Sequence, residues 1–266
     1  MKFVIAAVLL AGTAAPALAQ TVATGEPALC TDRPTKANAV CTVPTGKFQL
    51  ETDAVNWTRN RDGGTRTDVI AYTNPYVKLG LGPDTDIEAN VAPYVEVRNR
   101  TAGVTDTIGG VGDLTLRLKQ RLTDPSGKLQ VGIVPFVKIP TAKRGIGNRR
   151  VEGGLAVPVQ LSMPDGFTLT FGPETDLLLD GDGSGRHVQA VGIVNLGRSI
   201  TPKLTLYGEF FTAQNFDPAG TVRQYSLDAA AAYLVSPKWQ LDVGGNFGLN
   251  RTTPDMQLYV GVSTRF

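Results

Sequence analysis

Few residues in this chain could do catalytic chemistry. Its 266 residues contain one histidine, His187, so histidine-based acid–base or zinc chemistry would have to pass through it. His187 sits in Ser184-Gly185-Arg186-His187-Val188-Gln189, at the edge of a glycine-rich turn. Ser184 is near in sequence, but a flexible turn gives no rigid spacing to aim a base at a nucleophile. The expected state of His187 is a solvated polar side chain, with an outer-membrane lipid hydrolase the weaker reading. Asp180-Gly181-Asp182-Gly183 is a fragment of a calcium-loop pattern without the downstream bidentate acid, and reads as a turn with weak cation affinity at most. No catalytic residue, metal or cofactor is expected.

The two cysteines, Cys30 and Cys41, carry a different chemistry. Lys2, the apolar run Phe3 to Gly12 and the small residues ending in Ala17-Leu18-Ala19 form a basic, an apolar and a cleavage region. Residues 1–19 are therefore expected to be a signal peptide, and the apolar run is shorter than the roughly 20 residues of a membrane helix. Secretion implies an oxidising compartment, where an even cysteine count favours a Cys30–Cys41 disulfide. A metal pair is disfavoured, because no histidine or further cysteine lies nearby.

The remaining reactive groups are ionic, and the strands that must position them are read from the sequence period. From Lys47 onward apolar and polar residues alternate. Leu114, Leu116 and Leu118 oppose Thr115, Arg117, Lys119 and Arg121, and Met256, Leu258, Val260 and Phe266 oppose Gln257, Tyr259, Ser263 and Arg265. Ile87 to Val97, Leu129 to Ile139, Leu155 to Leu161 and Phe167 to Leu179 alternate likewise. Sustained period two means strands with two unlike faces. About twelve strands of roughly 10 to 14 residues result, long for a soluble sandwich and suited to tilted membrane-spanning strands.

The connections form two classes. Gly82-Pro83-Asp84, Asp124-Pro125-Ser126-Gly127, Pro164-Asp165-Gly166, Thr201-Pro202 and Ser236-Pro237 are tight, whereas Arg59 to Arg66, Asn99 to Gly109, Thr141 to Arg150 and Asp180 to Arg186 are longer and polar. The expected fold is all-β: a transmembrane, antiparallel, up-and-down β-barrel of the outer membrane of a Gram-negative cell, with short periplasmic turns and longer extracellular loops. Residues 20–46 form a periplasmic N-terminal segment with the disulfide, either an exposed tail or a plug in the lumen, and residues 47–266 form the barrel. Trp57, Phe171, Tyr225, Tyr233 and Trp239 fall near strand ends, where aromatic rings prefer the headgroup level.

Bulk composition agrees with this reading. Lys+Arg of 26 against Asp+Glu of 24 gives a net charge of +2, without the basic surplus of a nucleic-acid binder, so no nucleic-acid partner is expected. Mean hydropathy is −0.04, because a lipid-facing apolar face and an interior polar face cancel. A charge on the lipid face at mid-depth costs roughly 2–4 kcal/mol, so charges belong inside. The expected lumen set is Glu88, Glu96, Arg98, Arg117, Lys119, Arg121, Lys138, Glu152, Glu174, Asp176, Glu209, Asp228 and Arg265. Glu88 and Glu96 are expected beside Arg117 and Arg121, and the acidic wall of Glu174, Asp176 and Asp180 lies away from that basic strand. These charges either select solutes or pair across a filled barrel. Lys143, Arg144, Arg149 and Arg150 make one loop basic enough to meet lipopolysaccharide phosphates.

Thr31-Asp32-Arg33-Pro34, followed by Thr42-Val43-Pro44-Thr45-Gly46-Lys47-Phe48-Gln49-Leu50-Glu51, resembles the start of barrels grouped under the meta-pathway of phenol degradation. Gly109-Gly110-Val111-Gly112-Asp113-Leu114-Thr115-Leu116-Arg117-Leu118-Lys119 and Val134-Pro135-Phe136-Val137-Lys138-Ile139-Pro140-Thr141 resemble the same family, and the similarity covers nearly the whole mature chain. The resemblance implies an outer-membrane channel or transporter passing small, often aromatic or hydrophobic, solutes, and supplies no catalytic residues. The alternative is a structural or surface-interaction barrel without transport. The final strand, with Tyr259 and Phe266, resembles the signal read by the barrel-assembly machinery. The expected partners are that machinery, outer-membrane lipid and lipopolysaccharide, and a small-molecule solute.

Overall fold

The computed structural model describes residues 27 and 29–266; the signal peptide expected over 1–19 lies outside them. The strand segments are β1 (Phe48–Asp62), β2 (Thr65–Ala71), β3 (Tyr76–Gly82), β4 (Thr85–Asn90), β5 (Val95–Thr101), β6 (Val104–Gly110), β7 (Leu114–Arg121), β8 (Leu129–Ile139) and β9 (Glu152–Ala156). They continue as β10 (Val159–Ser162), β11 (Phe167–Phe171), β12 (Glu174–Leu179), β13 (Arg186–Ser199), β14 (Leu204–Asn215), β15 (Val222–Ser236), β16 (Trp239–Gly248) and β17 (Met256–Arg265). All 17 belong to one sheet, with neighbours antiparallel. β1 pairs with β3 near its start and with β2 near its end, so β2 and β3 are two parts of one crossing of the wall. β4–β5, β6–β7, β9–β10 and β11–β12 repeat this arrangement, and the sheet is a closed barrel of 12 strands. β1 on β17 closes it, from Gln49↔Arg265 to Arg59↔Met256, with a one-residue register shift between Asp53 and Val55.

Proline explains most of the interruptions. Pro75, Pro93, Pro158 and Pro173 each stand in a break within one of these crossings, where the missing N–H removes a ladder bond. Neighbouring bonds such as Gly112 N to Ala92 O (2.9 Å) and Val157 N to Pro173 O (2.9 Å) keep the wall continuous.

The wall is inverted relative to a water-soluble protein. Phe48, Val77, Ile87, Leu118, Leu241 and Val243 are exposed on the outside, while Gln49, Lys78, Glu88, Lys119 and Asp242 are buried inside. Among the aromatic residues expected near strand ends, Phe171 lies mid-wall, opposite Val194 of β13. A Phe has no polar edge that needs the headgroup layer, and the lipid band accepts it.

Two of the expected long loops are strand instead. Arg59 to Arg66 is the β1–β2 hairpin, turning at Gly63 and Gly64 (φ +53° and +82°), and Asn99 to Gly109 is the β5–β6 hairpin, turning at Ala102 and Gly103 (φ 48° and 82°). Pairs such as Asn60↔Thr67 and Asn99↔Asp106 continue the ladder through polar residues. Beyond the lipid both faces are wet, so apolar alternation stops while backbone pairing does not. The expected even alternation from Ile87 to Val97 also fails. Val91–Tyr94 interrupts it, and the inward set passes from Glu88 and Asn90 to Val95 and Val97, changing parity across the break. Glu96 and Arg98 therefore face outward, opposite Ile70 and Asp68, and are not lumen residues.

A candidate solute pathway partitioned by the N-terminal segment

The N-terminal segment enters from the rim of short turns. Thr45 bridges Gly80, Gly46 N donates to Gly80 O (2.8 Å), and Lys47 N donates to Pro44 O (3.0 Å). A Cβ on Gly80 would stand 2.2 Å from the Pro44 carbonyl oxygen, so only glycine admits this approach. Cys30 and Cys41 are disulfide-bonded and close the segment into a loop.

The two halves of the sequence motif meet inside the barrel. Glu51 Oε2 accepts from the backbone N–H groups of Asp32 (3.0 Å) and Arg33 (3.2 Å), and Gln49 Nε2 donates to Cys30 O (2.6 Å). Thr31 Oγ1 donates to the Arg33 carbonyl (2.8 Å), and Tyr259 donates its hydroxyl to the Pro34 carbonyl (2.6 Å). Tyr259 is thus interior, whereas Phe48 and Phe266 face out, 51% and 64% exposed.

Opposite charges meet across this contact. Asp32 lies 2.5 Å from Lys78 and 2.6 Å from Lys119. Lys78 also meets Glu51 at 2.6 Å, and Glu88 lies 3.4 Å from both lysines and 3.3 Å from Arg117. On the opposite side Arg33 joins Asp53 and Asp242, each at 2.6 Å, with its guanidinium 5.7 Å from the Tyr259 ring centroid. A Cβ on Gly261 would lie 2.1 Å from an Arg33 guanidinium nitrogen, so glycine leaves room for it. Lys36 binds Asp228 at 2.7 Å, and Glu209 accepts from the backbone of Lys36 (3.0 Å) and Ala37 (3.1 Å). Buried pairs of this kind add little net stability, but losing one partner strands the other without solvent.

The other expected lumen residues lie apart from this contact. Lys138 pairs with Glu152 at 2.5 Å, toward the mouth. Asp176 accepts from Gln189 (2.9 Å), and Glu174 shares its face. Arg121 binds Asp84 at the turn rim rather than Glu96, and Arg265 bonds the Pro27 carbonyl. Lys78, Asp53, Asp86 and Asp242 complete the network although sequence reasoning did not single them out. The alternations Val77-Lys78-Leu79 and Leu241-Asp242-Val243 carried the signal.

His187 is not solvated. It is 7% exposed, with Nδ1 2.9 Å from Asp180 and 3.7 Å from Asp217. Gly181 N donates to the same Asp217 (2.7 Å), so the three residues pin two mouth loops together. Ser184 bonds Asp182 instead (2.8 Å). Among the described residues no group of three or more His, Cys, Asp or Glu could hold a metal.

Two cavities flank the segment. One of about 320 Å³ lies toward the turn rim, lined by Ser199, Pro202 and Lys203, and one of about 310 Å³ lies toward the mouth, lined by Asn56, Asn246 and Gln257. Asp32, Arg33, Thr35 and Asn38 line both, so the segment is the partition between them.

The family described as "Putative MetA-pathway of phenol degradation" matches residues 31–266. The chain belongs to this family. Its matched span begins at Thr31, the first residue of the motif whose Asp32 and Arg33 backbone N–H groups donate to Glu51. No curated protein matches the sequence. Among solved structures, an outer membrane channel from Pseudomonas putida F1 is similar at 13% identity and TM-score 0.68, over 88% of this chain and 100% of that one. The NanC porin follows at 10% identity and TM-score 0.54, over 81% and 98%. The translocator domain of the autotransporter NalP from Neisseria meningitidis gives 14% identity and TM-score 0.50, over 85% and 91%. The family member described here is an outer-membrane β-barrel.

Proposed function

We propose that this barrel is a channel for small solutes whose interior is divided at rest by residues 29–44, and that passage requires this partition to shift. The observation that carries the reading is the pair of cavities sharing Asp32, Arg33, Thr35 and Asn38 as a common wall. Chambers of about 320 and 310 Å³ leave room for a small molecule on either side of the segment. The similarity to an outer membrane channel and a porin supports the same reading. The chamber linings mix hydroxyl, amide and charged groups with Tyr207 and Tyr76, which suits small aromatic molecules bearing hydroxyl or carboxylate groups better than plain hydrocarbons.

The test is flux through the purified full-length protein in planar bilayers and liposomes. Ion conductance with uptake of phenol or benzoate exceeding that of a similarly sized sugar is expected. A barrel that folds but passes neither ions nor solutes leaves the structural reading instead.

A further inference from the structure

Glu96 and Arg98, two of the charges expected in the lumen, belong instead to a cluster on the outer wall. Directly opposed residues of antiparallel strands share a face. The register of β1, β2 and β5 therefore stacks three rows: Trp57, Ile70 and Glu96; Arg59, Asp68 and Arg98; and Arg61, Arg66 and Arg100. Trp57 also stands opposite Leu258 and Val55 opposite Val260. Val55, Leu258 and Val260 are exposed apolar residues, so this face is the outside of the barrel.

The depth of the rows is fixed by the chain. Nine residues separate Phe48 at the turn rim from Trp57, about 23 Å at roughly 3.3 Å per residue and a tilt of about 40°. That is close to the roughly 25 Å height of the apolar band of such barrels. Trp57 thus marks the far membrane interface, and the arginines lie just beyond it, at the headgroups of the outer leaflet.

The cluster is ordered and carries excess positive charge. Asp68 is buried and accepts from Arg59 (2.9 Å), Arg66 (2.7 Å) and the Trp57 indole N–H (3.0 Å), and the Arg59 guanidinium lies 4.3 Å from the Trp57 ring centroid. Glu96 pairs with Arg98. Five arginines thus meet two carboxylates. The outermost row holds three arginines and no acid, and like charges set directly opposite one another repel. Guanidinium groups bind phosphate bidentately, and an anion across this row would relieve the repulsion. The basic loop of residues 141–150 is placed differently: Gly145 packs against inward-facing Ile108, and Lys143 Nζ bonds the Gly109 carbonyl (2.7 Å).

We propose that the outer wall formed by Arg59, Arg61, Arg66, Arg98 and Arg100 is a binding site for the phosphate groups of lipopolysaccharide, with Asp68 as the residue that positions two of these arginines. Lipopolysaccharide is the phosphate-bearing lipid of the leaflet at which the rows stand.

The test uses the full-length barrel in neutral detergent, titrated with lipopolysaccharide, enzymatically dephosphorylated lipopolysaccharide, phosphatidylglycerol and inorganic pyrophosphate. Binding to intact lipopolysaccharide is expected to weaken at least about tenfold on dephosphorylation and in the Arg61→Gln/Arg66→Gln/Arg100→Gln variant. Lys143→Gln/Arg144→Gln should change it little. Heat-modifiable migration reports whether each variant folds. Trp57 and Trp239 are the two tryptophans, so a Trp239→Phe protein with the arginines intact reads the site through Trp57 emission, which should shift on adding lipopolysaccharide. Unchanged affinity in the triple variant, equal affinity for the dephosphorylated form, or a silent Trp57 would overturn the site. Equal affinity for phosphatidylglycerol or for pyrophosphate would overturn its assignment to lipopolysaccharide.

Discussion

Arg33 decides whether the partition stays in place, because one guanidinium bridges two carboxylates on different strands. Asp53 of β1 and Asp242 of β16 have side chains 3% and 0% exposed, and each lies 2.6 Å from the guanidinium. Arg33→Ala leaves both acids buried without that cation, a loss of about 3–5 kcal/mol when a buried pair is broken on one side. The segment absorbs this loss more readily than the barrel, whose strands are held by continuous ladders. The expected outcome is a larger and noisier single-channel conductance with heat-modifiable migration retained. Arg33→Ala combined with Asp242→Asn should recover part of the quiet state, since it removes one of the stranded charges. A conductance trace identical to the parent in both variants would show that the pairs do not hold the partition.

At the scale of the element, the segment is held by a tether at one end and a covalent loop within it. Gly80→Val tests the tether. Its side chain would begin 2.2 Å from the Pro44 carbonyl oxygen, so the Thr45–Gly80 bridge must open while β3 keeps its ladder to β4. Faster protease cleavage before Lys47, without loss of the barrel, is the expected readout. The Cys30–Cys41 disulfide closes a loop of sequence separation 11, and such closure contributes up to about 3 kcal/mol against the open chain. Cys30→Ser/Cys41→Ser should therefore raise conductance noise in the same direction as Arg33→Ala, measured in the same bilayer.

These elements also mark where the sequence was readable. Period two in Leu114–Arg121 and Met256–Arg265 reported the two faces directly, because lipid on one side and a polar lumen on the other constrain every residue. The pattern does not place Glu96 and Arg98, because parity carries through Val91–Tyr94 only where that stretch is regular, and Pro93 breaks it. The β1–β2 and β5–β6 hairpins read as loops for the opposite reason: with water on both faces, nothing in the pattern distinguishes a strand from a coil. The docking of residues 29–44 is not legible in the sequence, because its hydrogen bonds to Glu51, Glu209 and Asp86 use backbone N–H groups, which no side-chain pattern reveals. His187 looked solvated because its partners, Asp180 and Asp217, come from two loops brought together only by the closed barrel.

For the whole molecule, near-zero mean hydropathy and a net charge of +2 describe a soluble protein and an inverted barrel equally well. The difference lies in where a new charge is tolerated. Val194 is 41% exposed on the outer face near the middle of β13, and Gln189 on the same strand faces inward, donating to Asp176 at 2.9 Å. In a soluble protein an arginine would be more welcome at the exposed Val194. In this barrel Val194→Arg enters the hydrocarbon near its midplane and should cost about 2–4 kcal/mol, whereas a lumen substitution mainly tunes selectivity. Gln189→Arg gains a carboxylate partner in Asp176 and should leave stability within about 1 kcal/mol of the parent. Equilibrium folding into phospholipid vesicles along a urea series gives both numbers under one condition. A larger loss at Gln189 than at Val194 would mean that the inside and outside of the wall have been assigned the wrong way round.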